Sequence, residues 1–169
     1  MADYISCLQW VLKFEDSTLS GRVVVLNDGA GRTRFGISEK NNSSLPQDFY
    51  TCSTAQALTY AESIYRISYW NPMMGDLLTS DELAATLLSF GVNDGIHTAI
   101  KLLQECLDVT PDGGMGPITL AAANSTPTAA ASLRQAQAAK YKAIALANPA
   151  MKIYEEGWLR RANAVYPIS

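Results

Sequence analysis

"LKFEDSTLSGRVVVLNDGAGRTRFGIS", residues 12–38, is the one stretch of this 169-residue chain that does not read as helix. An apolar helical segment runs into Glu15, and a β-branched run follows, GRVVVL at 21–26. The segment NDGAG then separates it from a second short β-type run, RTRFGI at 32–37. Asn-Asp-Gly is turn chemistry, because these residues tolerate positive φ and bond their own backbone. The pattern predicts one hairpin over 21–37, with Glu15 at its mouth and Asp28 at its tip.

Working outward, every other segment has helical spacing. Residues 3–14 repeat Ile5, Leu8, Trp10, Val11 and Leu12 along one helix. Ser53 with Gln56 forms a capping-box pattern opening a helix to about Tyr69, and Thr79 with Glu82 repeats the device before LAATLLSFGV. Asn93-Asp94-Gly95 breaks that helix and IHTAIKLLQECLDV resumes the period. TPDGGMGPITLAAA is a glycine-rich turn feeding a helix with Pro117 in its first turn. An alanine-rich helix follows Thr126-Pro127, with Leu133, Tyr141, Ile144 and Leu146 as its packing residues, and IYEEGWLRRANAV forms the last helix. The expected fold is therefore mainly α with a single hairpin near the front. A lone hairpin is marginal by itself, so it must pack on helices or serve a site.

The bulk numbers exclude several classes. A chain of this length is most simply one domain that buries about two-thirds of its unfolded surface. A net charge of −3 and a pI near 5.1 leave no basic field for nucleic acid or an anionic membrane. Cys7, Cys52 and Cys106 are odd in number and lack metal-ligand spacing, which predicts reduced thiols and neither a disulfide framework nor a zinc site. His97 is the single histidine, and no GxSxG setting accompanies it. No cofactor or metal is expected. The N-terminus has no signal-peptide pattern and no run of about 18 apolar residues exists, so synthesis in the cytoplasm and no membrane insertion are the expectations.

The chemistry concentrates at the hairpin. Glu15 ends a helix, where the negative dipole end and the neighbours Trp10, Leu12 and Phe14 disfavour its ionised form. A carboxyl kept protonated is what a general acid needs. Asp28, in a polar glycine turn, is expected to stay ionised, and Thr33 on the return strand is placed to hold a water beside it. Two carboxyls in contrasting surroundings are the minimal equipment for glycoside hydrolysis. A solvated helix end and an Asx-turn explain the same two residues. Asp16 is either a charge that raises the proton affinity of Glu15 or an exposed charge without consequence. Tyr69 and Trp70 offer aromatic faces for a sugar ring or close a helix on the core; Asn93 and Asp94, at a helix break, offer hydrogen bonds to glycan hydroxyl and acetamido groups.

At these residues the chain resembles the glycoside hydrolase family 108 muramidases. DGAGRTRFGIS is similar to the family's DPGGxTxxGIT hairpin, AESIYRISYWNP to its IYxxxYW segment, LLSFGVNDGIHTAIKLLQECL to LFDxxVNxGxxxAxxxLQ, DGGMGPITLAA to DGxxGPxTL, and EEGWLRRANAV to the terminal GWLxRV motif. The likeness spans nearly the whole chain in order. It departs where the family has Glu-Gly-Gly, since this chain reads Glu15-Asp16-Ser17, and where the spacing from Glu15 to Asp28 is longer; an even insertion lengthens both hairpin arms without flipping their faces. The resemblance implies a lysozyme-like helical fold, with a catalytic lobe at 1–95 carrying the hairpin 21–37 and a helical peptidoglycan-binding-like lobe at 96–169, packed as one unit. It implies an N-acetylmuramidase that cuts the β-1,4 bond between N-acetylmuramic acid and N-acetylglucosamine. Glu15 inherits the catalytic acid, Asp28 and Thr33 the orientation of water, and Tyr69, Trp70, Asn93 and Asp94 the binding of glycan strands. A holin or secretion-system partner is expected to export it to the periplasm or cell wall, as an endolysin or secreted effector. The competing expectation is a peptidoglycan-binding or secretion-accessory protein that kept the fold without turnover.

Overall fold

The computed structural model describes residues 1–26, 31–42 and 45–167, so the hairpin tip with Asp28 lies outside the described residues. Helix α1 (Tyr4–Glu15) starts at Asp3, whose side chain accepts from the Ser6 N–H, and buries Tyr4, Cys7, Leu8, Val11 and Leu12. Ile5, expected on that face, is exposed. Helix α2 (Thr54–Tyr65) is capped by Ser53, whose side chain accepts from the Gln56 N–H as the capping pattern predicts. It runs on into a π-helical turn, Arg66–Trp70.

Helix α3 (Asp81–Asp94) is the axis of the molecule. Every residue from Leu83 to Gly91 is buried, the pattern of a helix that is covered all round. It packs against α1, α4 (Ile96–Cys106) and α6 (Ala129–Ala147). Its cap is Ser80, one residue later than the predicted Thr79. The reason is tertiary: the Thr79 N–H and hydroxyl both donate to Asn124 Oδ1, at 2.9 and 3.2 Å, at the end of α5 (Pro117–Ser125). In α6, Leu133 and Tyr141 pack inward as expected, but Leu146 stands 86% exposed. Helix α7 (Lys152–Ala162) returns along α6. One hydrophobic cluster joins residues from both halves of the chain. Cys7 is buried and Cys52 and Cys106 are half-buried, all as free thiols; burial pushes Cys7 up to about 12.

The expected hairpin is a three-stranded antiparallel meander, β1 (Val24–Leu26), β2 (Gly31–Arg34) and β3 (Ile37–Ser38), in that order. The run RTRFGI is not one strand, because Phe35 and Gly36 turn it back on itself with φ of 49° and 75°. Positive φ at both central residues is the requirement of a two-residue hairpin turn whose twist matches its strands. A bulky residue in that region is strained. The surroundings hold it there: Phe35 is buried, and the Tyr65 hydroxyl donates to its carbonyl at 2.9 Å.

Arg34 locks this sheet to the helices. It is only 5% exposed. Its Nε donates to the Gly21 carbonyl at 2.7 Å, and its Nη1 to the Phe49 and Cys52 carbonyls at 2.8 and 3.0 Å. The buried cation is thus paired with carbonyl dipoles where a carboxylate would be usual. Arg34→Lys cannot span three acceptors from one ammonium, and Arg34→Ala leaves them buried without a donor. We expect each to lower stability by about 2–4 kcal/mol, read as a shift of the urea midpoint at constant slope.

Candidate active site

The C-terminal end of α1 delivers Glu15 to the foot of the sheet. Two cavities share Glu15 and Gly36 in their walls. One, of about 170 Å³, lies toward the helices and is lined also by Tyr65, Ser68, Tyr69, Asn93 and Arg161. The other, of about 320 Å³, lies toward the sheet and is lined also by Asp16, Thr18, Arg22 and Thr33. The Glu15 side chain is 21% exposed, so it is neither in bulk solvent nor sealed in the core.

Two contacts fix it. A Cβ on Gly36 would stand 2.8 Å from Glu15 Cγ, 2.9 Å from its Oε2 and 2.9 Å from the Tyr65 hydroxyl, so the bare backbone of the second turn presses on the carboxyl. The second contact is Arg161 on α7, whose Nη1 donates to Glu15 Oε1 at 2.6 Å across 146 positions of sequence. This is a correction to the apolar-flanked lone acid that the sequence predicts. Phe14 lies under the Arg161 guanidinium, at 5.2 Å, and Trp10 packs edge-on against Phe14 and Tyr166, away from the carboxyl.

Asp16 is neither an acid coupled to Glu15 nor an idle surface charge. Its carboxylate accepts from the Gly21 N–H at 2.7 Å, the Thr18 hydroxyl at 3.0 Å and the Ser20 hydroxyl at 3.2 Å, closing the loop from α1 to β1. Partial desolvation opposes ionisation, but these hydrogen bonds outweigh it and hold the carboxyl below the usual carboxylate range. That clasp gives Glu15-Asp16-Ser17 a structural use where the related motif carries glycines.

The other expected residues separate. Thr33 lines the sheet-side cavity with Glu15, and its Oγ1 is buried with no hydrogen-bond partner among the described residues. Tyr69 lines the helix-side cavity; burial and the Glu15 charge both push its phenol up. Asn93 lines the same cavity while its Nδ2 donates to Tyr141 Oη at 2.6 Å. Trp70 does not join them. It is fully buried, donating Nε1–H to Asp76 Oδ1 at 2.8 Å and tilted against Tyr4, so it offers no face to a sugar. The wide π turn sends Tyr69 to the cavity and its neighbour Trp70 to the core. Asp94 is also structural: Lys140 pairs with its Oδ2 at 2.7 Å and Tyr141 donates to its Oδ1 at 3.0 Å, tying α3 to α6. Arg32 pairs with Glu39 at 2.6 Å, and neither it nor Arg34 lines the two cavities. Arg161 and Tyr65 are the cavity-lining residues that sequence reasoning missed, together with Ser89, whose Oγ accepts from Arg161 Nε at 3.0 Å. The only advance signal was the GWLxRV-like motif, which marks Arg161 but not its target. Among the described residues no three His, Cys, Asp or Glu side chains gather to hold a metal ion, and no helix is long and apolar enough to cross a membrane.

Two substitutions test this geometry. Gly36→Ala forces a side chain onto a left-handed residue and into Glu15; we expect a loss of at least about 1 kcal/mol in thermal or urea unfolding. Asp16 has a depressed folded-state value, so its stabilisation is present above its unfolded value and lost as pH falls through the folded one. The stability gap between wild type and Asp16→Asn is therefore expected to be full near neutrality and to close below about pH 4, measured by urea unfolding at stepped pH.

Comparison with known proteins gives the family. Residues 8–95 match the family model described as Glycosyl hydrolase 108, and residues 98–163 match one described as Predicted Peptidoglycan domain. The structure of Brucella abortus SagA is similar at 26% sequence identity and a TM-score of 0.72, over 94% of this chain and 88% of that one. No curated protein matches the chain. The first match spans more than half of the chain and contains Glu15, Thr33 and Tyr69; the chain belongs to the glycosyl hydrolase 108 family and is a peptidoglycan hydrolase of lysozyme type.

Proposed function

We propose that this hydrolase is an N-acetylmuramidase, cutting the β-1,4 bond between N-acetylmuramic acid and N-acetylglucosamine, and that Glu15 is its general acid. The observation that carries the reading is the placement of one carboxyl, Glu15, at the wall shared by the two cavities, with Oε2 beside the bare backbone of Gly36. A glycan strand lying across that wall brings its bridging oxygen to Glu15. Proton transfer to that oxygen turns the departing sugar into a neutral alcohol, and positive charge develops on the ring left behind.

Thr33 supports the second half of the reaction. It lines the sheet-side cavity, its Oγ1 has no hydrogen-bond partner among the described residues, and with Asp28 it is assigned the orientation of the water that attacks the sugar. Tyr69 and Asn93 line the opposite side, where an aromatic edge and an amide suit a ring face and an acetamido group. Residues 96–169 form the wall-binding lobe, and the protein acts in the periplasm or on the cell wall.

Glu15→Gln keeps the shape and removes the proton. Release of reducing ends from purified cell-wall sacculi is expected to fall about 10²–10⁴-fold, with the melting temperature retained. Equal turnover in the two proteins removes Glu15 as the acid, and reducing ends borne on N-acetylglucosamine in place of N-acetylmuramic acid overturn the proposed bond.

A further inference from the structure

Arg161 is supplied by the last helix, outside the part of the chain that matches the hydrolase family model, yet its guanidinium touches Glu15. Its orientation is built by three contacts from two helices. Nε donates to Ser89 Oγ on α3 at 3.0 Å, the Phe14 ring of α1 lies 5.2 Å from its central carbon, and Nη1 donates to Glu15 Oε1 at 2.6 Å. Only 11% of its side chain is exposed, and no other carboxylate pairs with it among the described residues. A charge-assisted contact so far out of water is screened little.

We propose that Arg161 is a positioning residue: it decides which oxygen of Glu15 carries the transferable proton, and it holds the carboxylate that remains once the proton has gone. The inference rests on Glu15 being the acid. A guanidinium has five N–H donors, no acceptor, and stays charged at any working pH. The oxygen that accepts from Nη1, Oε1, therefore has no use for a proton pointed at Arg161. The proton must sit on Oε2, the oxygen beside Gly36 and so at the wall that both cavities share. Without Arg161 no charged donor marks Oε1 as the acceptor, and the proton is no longer confined to Oε2. As Glu15–H gives its proton to the bridging oxygen, the negative charge left on the carboxyl meets a cation already in contact and already oriented, so no reorganisation accompanies the transfer.

The other charged or titratable groups near Glu15 do not duplicate this. Burial and the Glu15 charge push the Tyr65 and Tyr69 phenols up, which leaves both neutral. Asp16 is spent on its own loop, and Arg22 lines the sheet-side cavity but makes no ion pair with Glu15 among the described residues. Asn93 and Ser68 are uncharged.

The test is the pH profile of kcat on purified sacculi for wild type, Arg161→Gln, Arg161→Lys and Ser89→Ala, with melting temperatures alongside. A general acid works below its own titration, so activity is lost as pH rises. Arg161→Gln removes the charge and keeps a donor: kcat is expected to fall at least about tenfold, KM to stay within about twofold, and the alkaline limb to move up by about one pH unit. Arg161→Lys keeps the charge, and its limb stays at the wild-type position at a reduced plateau. Ser89→Ala loosens the guanidinium without discharging it, so kcat falls several-fold with the limb unmoved. A folded Arg161→Gln protein whose limb coincides with that of wild type overturns the proposal. If Arg161→Gln does not fold, wild-type kcat in Ser89→Ala overturns it instead. Wild-type protein without turnover on sacculi removes the reading of Glu15 as the acid, which is a different failure from an active enzyme indifferent to Arg161.

Discussion

At Gly36 the sheet comes so close to the end of α1 that no methyl group fits between them. That approach organises the site. The Phe35–Gly36 turn holds two consecutive left-handed residues, one of them a buried aromatic, and the strain is offset by the Tyr65 hydroxyl below it and the Arg34 latch beside it. The backbone thereby touches the Glu15 carboxyl directly. A side chain in the same place would separate the two cavities from the acid that they share. The strained turn is where local preference yields to the site, as functional positions often require.

The electrostatics follow the same economy. The protein is acidic overall, yet its two most enclosed arginines stand beside the site. Arg34 spends its donors on three backbone carbonyls and fixes the sheet; Arg161 spends one on Ser89 and one on Glu15. A buried cation left without partners would cost several kcal/mol, so each forces the segments that satisfy it into place. The second links α7 to α1 and joins the two matched segments of the chain through one hydrogen-bonded pair.

Much of the molecule was legible in advance because its signals are local. The Ser53 cap, the break at Gly95 and Pro117 at the first turn of α5 each follow from one or two residues and the backbone groups next to them. The end of α1 at Glu15 was legible too, since the apolar period of the first helix stops there. Tyr69 and Trp70 show the limit. They are neighbours of similar chemistry, and only the π turn decides that one lines a cavity and the other fills the core. Asp94 fails for a related reason, because its partners, Lys140 and Tyr141, sit on a helix more than forty positions away.

The order of the helices and the mainly helical class were thus set by sequence alone, through periods, caps and turn residues that act over a few positions. Tertiary structure alone decided that RTRFGI would fold back into two strands, that Thr79 would pass its cap to Ser80, that Asp16 would clasp a loop, and that Arg161 would meet Glu15. Each of these depends on a donor or acceptor that the chain brings from elsewhere. Such a partner lies outside any local window of residues, and a polar group leaving water must find one wherever the packing puts it.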